Sequence, residues 1–360
     1  MKFEPHNLLI TGGAGFIGAN FVRHWLSNTE SGQVVVLDAL TYAGNIENLS
    51  GLEGSSRYHF VKGDICDENA VSDLLKRHQI DTLVHFAAES HVDRSISGPD
   101  EFIRTNVMGT HTLLKAAKEI WLDGGGRPHR FHHVSTDEVY GSLGPLDPAF
   151  HERTPYAPNS PYSASKAGSD HLVRAYHETY KLATTVTNCS NNYGPYQFPE
   201  KLIPLTIVNI LKGKALPVYG DGLQVRDWLH VSDHCEAIAL ALYEGESGEV
   251  YNIGGNGETT NMNIVRTLCA QVDEQLGADP KYLTRYPQSP VFHGKKAVDL
   301  ITHVTDRQGH DRRYAINYEK AAAKLNYAPK CELSSGLKST VKWYLDQAGW
   351  WQNINRAAAR

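Results

Sequence analysis

A chain of 360 residues is longer than most single domains, so it leaves room for one large domain or two intimate ones and excludes a short stapled module. Hydrophobic residues make up 41% and charged residues 21%, and the 31 Gly and 16 Pro are dispersed, which describes a globular chain rather than a disordered one. A formal charge of −5 gives no global attraction to nucleic acid or to an anionic membrane, so an anionic ligand must be held by placed basic groups.

The five cysteines, Cys66, Cys189, Cys235, Cys269 and Cys331, are odd in number and form no C-x-x-C pair. That argues against a disulfide framework or a metal site and for a reducing, cytoplasmic setting. The first residues carry Glu4 and Pro5 where a leader would have its apolar run, and no stretch of 18 apolar residues occurs. The expectation is a soluble protein with no membrane partner.

In chain order, short apolar runs recur at Leu8 to Thr11, Val34 to Leu37, Tyr58 to Val61, Thr82 to Phe86, Phe131 to Ser135, Thr184 to Thr187 and Val250 to Ile253. Helical spacing intervenes at Phe16 to Leu26, at Val71 to Leu75 and around Ala237 to Tyr243. The alternation predicts an α/β fold, a Rossmann-type doubly wound parallel sheet. After about Asn191 the pattern breaks at Pro195, Pro199, Pro204 and Pro217, and Gly277 to Val304 has no clear period. A smaller, mixed α/β portion is expected there. The boundaries drawn are 1–190 with 228–256 for a dinucleotide-binding domain, 191–227 with 257–348 for a domain that covers the ligand, and 349–360 as a loose tail after a helix near Leu337 to Leu345.

The first strand runs into Gly12, Gly15 and Gly18 and then a helix, the arrangement that lets a backbone approach a pyrophosphate at a helix N-terminus. Asp38 ends the second strand about 20 positions past Gly18, where a carboxylate binds ribose hydroxyls and repels a 2′-phosphate, so NAD is expected over NADP. The fourth strand ends in Phe86, Ala87, Ala88, Glu89 and Ser90, and the fifth in Ser135, Thr136, Asp137 and Glu138. Both ends fall on the carboxyl edge of the sheet, where ligands bind in such folds. Away from that edge an Asp-Glu pair is more often a helix cap. Tyr162 and Lys166 stand at i and i+4 on one helical face, a phenol beside an ammonium that eases its deprotonation. With a dinucleotide site, that pair reads as the proton-transfer couple of an enzyme acting on an alcohol.

Across nearly the whole chain these motifs, with Ala87 to Ser95, Ser135 to Gly141, Asn191 to Pro195 and Gly309 to Tyr314, resemble the dTDP-glucose 4,6-dehydratase family of the extended short-chain dehydrogenases/reductases. The Thr-Asp-Glu element is the most discriminating, since simple epimerases of the superfamily lack the acidic pair. The resemblance implies a hydro-lyase that uses NAD to form dTDP-4-keto-6-deoxyglucose from dTDP-glucose, in deoxysugar supply for cell-surface polysaccharide; the alternative is another nucleotide-sugar dehydratase or a 4-epimerase of the same superfamily. Tyr162 and Lys166 would serve oxidation at C4, Thr136 would hold the C4 hydroxyl, Glu138 would take the C5 proton, and a protonated Asp137 would release the C6 hydroxyl as water. Adjacent strand residues face opposite ways, so this requires the chain to turn at Asp137.

By the same resemblance, Phe16, Ile17, Asp38, Ala39, Leu40, Thr41, Asp64, Ile65, Phe86, Ala87, Ala88, Thr105, Tyr162, Lys166 and Asn192 fall on cofactor positions. The substrate set comprises Ser90, Thr136, Asn191, Lys201, Leu202, Pro217, Val218, Tyr219, Arg226, Asn261, His310, Asp311, Arg312, Arg313 and Tyr314. Lys201, Arg226 and the Arg312 and Arg313 pair would supply the positive charge that a diphosphate needs and the net charge does not. Two departures stand out: Gln308 occupies the usual proline of Arg-Pro-Gly-His-Asp, and the stretch around Tyr282 to Val298 is longer than in many relatives. A homodimer packed through the helices after Asn106 and Tyr162 is implied as well.

Overall fold

The computed structural model describes residues 3–307 and 309–358; Gln308 lies outside the described residues. Its centre is a parallel sheet of seven strands: β1 (Leu8–Thr11), β2 (Val34–Asp38), β3 (Tyr58–Lys62), β4 (Thr82–His85), β5 (Arg130–Thr136), β6 (Thr184–Cys189) and β7 (Val250–Ile253), in the order β7-β6-β5-β4-β1-β2-β3. Every neighbouring pair is parallel, with Leu9 opposite both Val35 and Leu83. All seven apolar runs read from the sequence stop within two residues of these bounds; every residue of β1, β2, β4, β5 and β6 is buried, and buried parallel strands favour apolar and β-branched runs.

Strand periodicity divides the core. Leu9, Val35, Leu83 and Phe131 face Leu113, Leu114, Trp121 and Val173 on one side, while Leu8, Ile10, Val34 and Val36 face Phe21, Val22, Trp25 and Ile238 on the other. The helices that supply these faces are α1 (Phe16–Asn28), α2 (Glu68–Arg77), α3 (Thr110–Lys118), α4 (Pro161–Tyr180) and α5 (Val231–Glu244). The chain order reverses between β1 and β4, and a crevice opens at their carboxyl ends. α4 starts with Pro161 in its first turn and a reciprocal box in which the Ser160 and Ser163 side chains each accept the other's backbone N–H.

The helical stretch around Asn106 entered the sequence reading only through the family resemblance, not through its periodicity. From Asp100 to Asp123 the chain is continuously helical, with wider π-type turns at Ile103–Gly109 and Glu119–Asp123 flanking α3. π-turns insert a residue and shift the apolar period, which hides such a helix from a search at 3.6 residues per turn.

The second portion has its own core, in which Ile203, Ile207 and Ile210 meet Val265, Leu268, Leu276, Val341 and Tyr344. Pro204 sits in the first turn of the helix Leu202–Leu211, where its missing N–H costs no hydrogen bond, so it marks a helix start and not a break. Within the aperiodic stretch, Ile301–Val304 pairs in parallel with Leu216–Tyr219. The end of the chain corrects an expectation: residues 349 to 358 are not a loose tail but continue the helix Ala348–Ala358. Trp350 and Trp351 anchor it in the core, with their indole N–H groups donating to Asn48 Oδ1 at 2.7 Å and to the Tyr344 carbonyl at 3.0 Å. Among the described residues no helix is long and apolar enough to cross a membrane.

Candidate active site

The crevice at the carboxyl edge deepens into a cavity of about 370 Å³, walled by the glycine turn, the ends of β2 to β6, α4 and the segment 191–201. Gly12 has φ +70°, and a Cβ there would lie 2.5 Å from the Ala87 nitrogen; a Cβ on Gly18 would overlap the Gly12 carbonyl. Gly15 caps α1 with no side chain over its first N–H groups. Those features fit a diphosphate, which needs close backbone approach and free donors at a helix start.

Asp38 does more than the sequence reading assigned it. Oδ2 accepts from the Ala14 N–H at 2.9 Å and Oδ1 from Leu40 at 2.8 Å, which ties the glycine turn to the end of β2. Burial pushes its carboxyl up, against the pull of those two N–H groups. A carboxylate has about four acceptor directions, so lone pairs remain for a ribose. Phe16, Ile17, Ala39, Thr41, Asp64, Ile65, Phe86, Ala87, Ala88, Thr105 and Asn192 all line the same cavity, whereas Leu40 does not. Asp64 is paired with Arg104 at 2.6 Å.

The requirement for a turn at Asp137 is met. β5 ends at Thr136, and Asp137–Tyr140 forms a single 3₁₀ turn whose first free N–H, that of Glu138, donates to Thr136 Oγ1. Gly141, at φ +91°, ends the turn where a Cβ would lie 2.5 Å from the Ala157 carbonyl. The turn puts both neighbouring carboxylates on the cavity wall with Thr136, Tyr162 and Lys166. Asp137 is only 1% exposed and its Oδ2 has no partner. Burial first, then the charges of Glu138 and Asp227, push its carboxyl well above the usual range. Glu138 is raised by burial as well but is opposed by Lys201, Arg226 and Arg307. Two adjacent carboxyls thus differ in environment, one favouring the acid and the other facing three cations.

Tyr162 is buried, and burial and the Glu138 charge raise its phenol, while the Thr136 hydroxyl bonded to it pulls the other way. The Lys166 ammonium donates to the Val134 carbonyl at 2.9 Å.

The residues expected to bind substrate do not share one wall. Ser90, Asn191 and Lys201 line the main cavity, and the Lys201 ammonium donates to the Ser90 carbonyl at 2.9 Å. Arg312 and Arg313 instead line a second hollow with Leu223, Val225 and Thr260, and are paired with Asp221 and Glu258. Arg226 is buried over the Tyr314 ring at 4.2 Å and donates to the Asp311 carbonyl; Tyr314 donates to the Asp311 carboxylate. Leu202, Pro217, Val218, Tyr219, Asn261 and His310 border neither hollow. Sequence reasoning passed over Cys189, Ser190, Gln197, Phe198 and Glu200 on the cavity wall. Cys189 ends β6 and Ser190 follows it, both within reach of the edge rule; the others arrive through tertiary approach alone.

Fold, glycine cradle and the Tyr/Lys helix together define an extended short-chain dehydrogenase/reductase. A family profile described as GDP-mannose 4,6 dehydratase matches residues 9–340. The dTDP-glucose 4,6-dehydratase of Neisseria meningitidis serogroup B is 52% identical over 356 residues, 98% of this chain and 97% of that one. That of Escherichia coli K12 is 51% identical, over 98% and 96%. A crystal structure of the Streptomyces venezuelae dTDP-glucose 4,6-dehydratase with NAD bound superposes with a TM-score of 0.85 at 47% identity, covering 97% of this chain and 99% of that one. The chain belongs to the dTDP-glucose 4,6-dehydratase family.

Proposed function

We propose that this protein converts dTDP-glucose to dTDP-4-keto-6-deoxyglucose and water with NAD as its cofactor. The observation that carries the reading is the turn at Asp137, which brings an acid, a base and the Tyr162/Lys166 pair onto one cavity wall. Gly12, Gly15 and Gly18 would hold the NAD diphosphate and Asp38 a ribose. Bound there, NAD supplies hydride chemistry, accepting from sugar C4 and giving back at C6.

The chain's own groups carry the protons. Tyr162 takes the proton of the C4 hydroxyl, which Thr136 orients, and Lys166 stabilises the phenolate form. The 4-ketone acidifies the hydrogen at C5, and Glu138 removes it. Asp137, held in its acid form by burial and by two neighbouring carboxylates, donates to the C6 hydroxyl, which leaves as water. Lys201 and Arg226 set positive charge beside this site.

We further infer a cytoplasmic homodimer: Ile103, Met108 and Tyr180, on the 100–123 helical stretch and α4, expose 45–52% of large apolar side chains. The test of function is direct. Purified protein incubated with dTDP-glucose should yield a product whose absorbance develops in alkali, with UDP- and GDP-sugars run in parallel. Ketone from another nucleotide alone would reassign the substrate, and none from any would end the dehydratase reading.

A further inference from the structure

Tyr162, Lys166 and Asp170 stand at i, i+4 and i+8, so one face of α4 carries a phenol, an amine and a carboxylate in line. Asp170 is 5% exposed, beneath β5. Its Oδ2 accepts from Ser135 Oγ and Tyr156 OH, each at 2.9 Å. Its Oδ1 lies 3.2 Å from His133 Nε2, and the same nitrogen is 3.4 Å from Lys166 Nζ. One ring nitrogen therefore faces a carboxylate and an ammonium, and its tautomer decides between them.

His133 Nδ1 is buried with no partner. A bare lone pair there costs less than a stranded N–H, so the proton belongs on Nε2, the nitrogen that faces Asp170 Oδ1. Asp170 Oδ2 then accepts from Ser135 and Tyr156, while Oδ1 has no hydrogen-bond donor of its own and faces His133 Nε2 at 3.2 Å and the Lys166 charge beyond it. Lys166 is left with the Val134 carbonyl as its acceptor and Asp170 as its counter-charge.

We propose that Asp170 and His133 are positioning residues for the reaction: they hold Lys166 charged and seated on the Val134 carbonyl, and through Lys166 they govern how readily Tyr162 releases its proton. This rests on the reading of Tyr162 as the C4 base. The opposing pushes agree with it. Burial lowers the Lys166 amine, and Asp170 and then Cys189 of β6 raise it. Burial lifts Asp170 to about 6, against Lys166, Ser135, Tyr156 and His171. The other titratable groups facing this cluster are His85 of β4 and His133 itself, both kept neutral by full burial, Tyr140, whose phenol burial raises, and Glu138 and Asp137 of the turn after β5, whose charges raise Tyr162.

The test is the pH profile of kcat/KM for dTDP-glucose in Asp170→Asn. Without the counter-charge the amine gives up its proton more easily, the phenol loses its cation, and the acidic limb should move up by about one pH unit or more, a tenfold loss on the limb that recovers at high pH. Tyr156→Phe removes one donor to Asp170 and should move the limb the same way by less, which keeps the idea testable if Asp170→Asn does not fold. His133→Gln, which keeps a donor at similar reach, should stay nearer the parent than His133→Leu. A uniform loss at every pH with the limb in place, or a parental profile, overturns the proposal. A parent that forms no ketone from any nucleotide sugar would instead refute the functional reading.

Discussion

Replacing Asp137 by Asn separates chemistry from folding. The side chain is nearly isosteric, but an amide cannot deliver a proton to the departing C6 hydroxyl. General acid catalysis contributes about 10²- to 10⁴-fold, so product formation should fall by that factor, or about 2.7–5.4 kcal/mol on the barrier. Oxidation at C4 does not use Asp137, so NADH should appear and persist, read by its absorbance after mixing with dTDP-glucose. Stability should move the other way. Burial and two neighbouring carboxylates raise the Asp137 carboxyl well above its unfolded value. A group raised in this way costs stability as pH climbs from the unfolded to the folded pKa, about 1.36 kcal/mol for each unit of separation. The amide carries no such cost, and it disrupts no hydrogen bond of Oδ2, which has none. At pH 7 the variant should therefore denature at the same temperature as the parent or higher. A variant that makes the 6-deoxy product at the parental rate, or that unfolds more easily by more than about 1 kcal/mol, would refute the reasoning.

Gly18→Ala puts a methyl onto the Gly12 carbonyl and should weaken NADH binding about five- to 150-fold, as expected for ~1–3 kcal/mol of overpacking; unchanged affinity by fluorescence titration counts against the cradle. Trp350→Ala removes a buried indole and its bond to Asn48 and should lower unfolding free energy by about 3–5 kcal/mol in denaturant titration, whereas a cost below ~1 would make the terminal helix an ornament. Met108→Asp with Ile103→Asp should convert a dimer to a monomer in sedimentation, and a parent that is already monomeric removes that assignment.

Much of this molecule was legible before its structure, for physical reasons. Strands of a parallel core sheet favour apolar and β-branched runs, so β1 to β7 announced themselves, and a ligand in such a sheet has one crevice to occupy. The five residues proposed for catalysis share a wall because Thr136 ends β5, Asp137 and Glu138 form the turn after it, and Tyr162 and Lys166 open α4. What stayed hidden has equally definite causes. Nothing in the run from Ser135 to Gly141 says that the strand stops at Thr136, because the cap is one hydroxyl and the stop one glycine. His133 reads as one more strand residue and Asp170 as a polar helix position; only packing reveals that they meet. Phe198 and Glu200 reach the cavity by a crossing of the chain that carries no local signature.

The cavity wall draws on positions from Gly12 to Lys201, segments far apart in sequence that touch one another around one hollow. A ligand filling that hollow binds only the assembled chain, and mass action then adds its binding to the free energy of folding. At a hundred times its dissociation constant the contribution is about 2.7 kcal/mol, a large part of the margin by which an ordinary domain stays folded. NAD would thus belong to the architecture as much as to the chemistry. The protein stripped of it would be the form that proteases meet first, so the supply of cofactor during synthesis would govern how much of the chain survives.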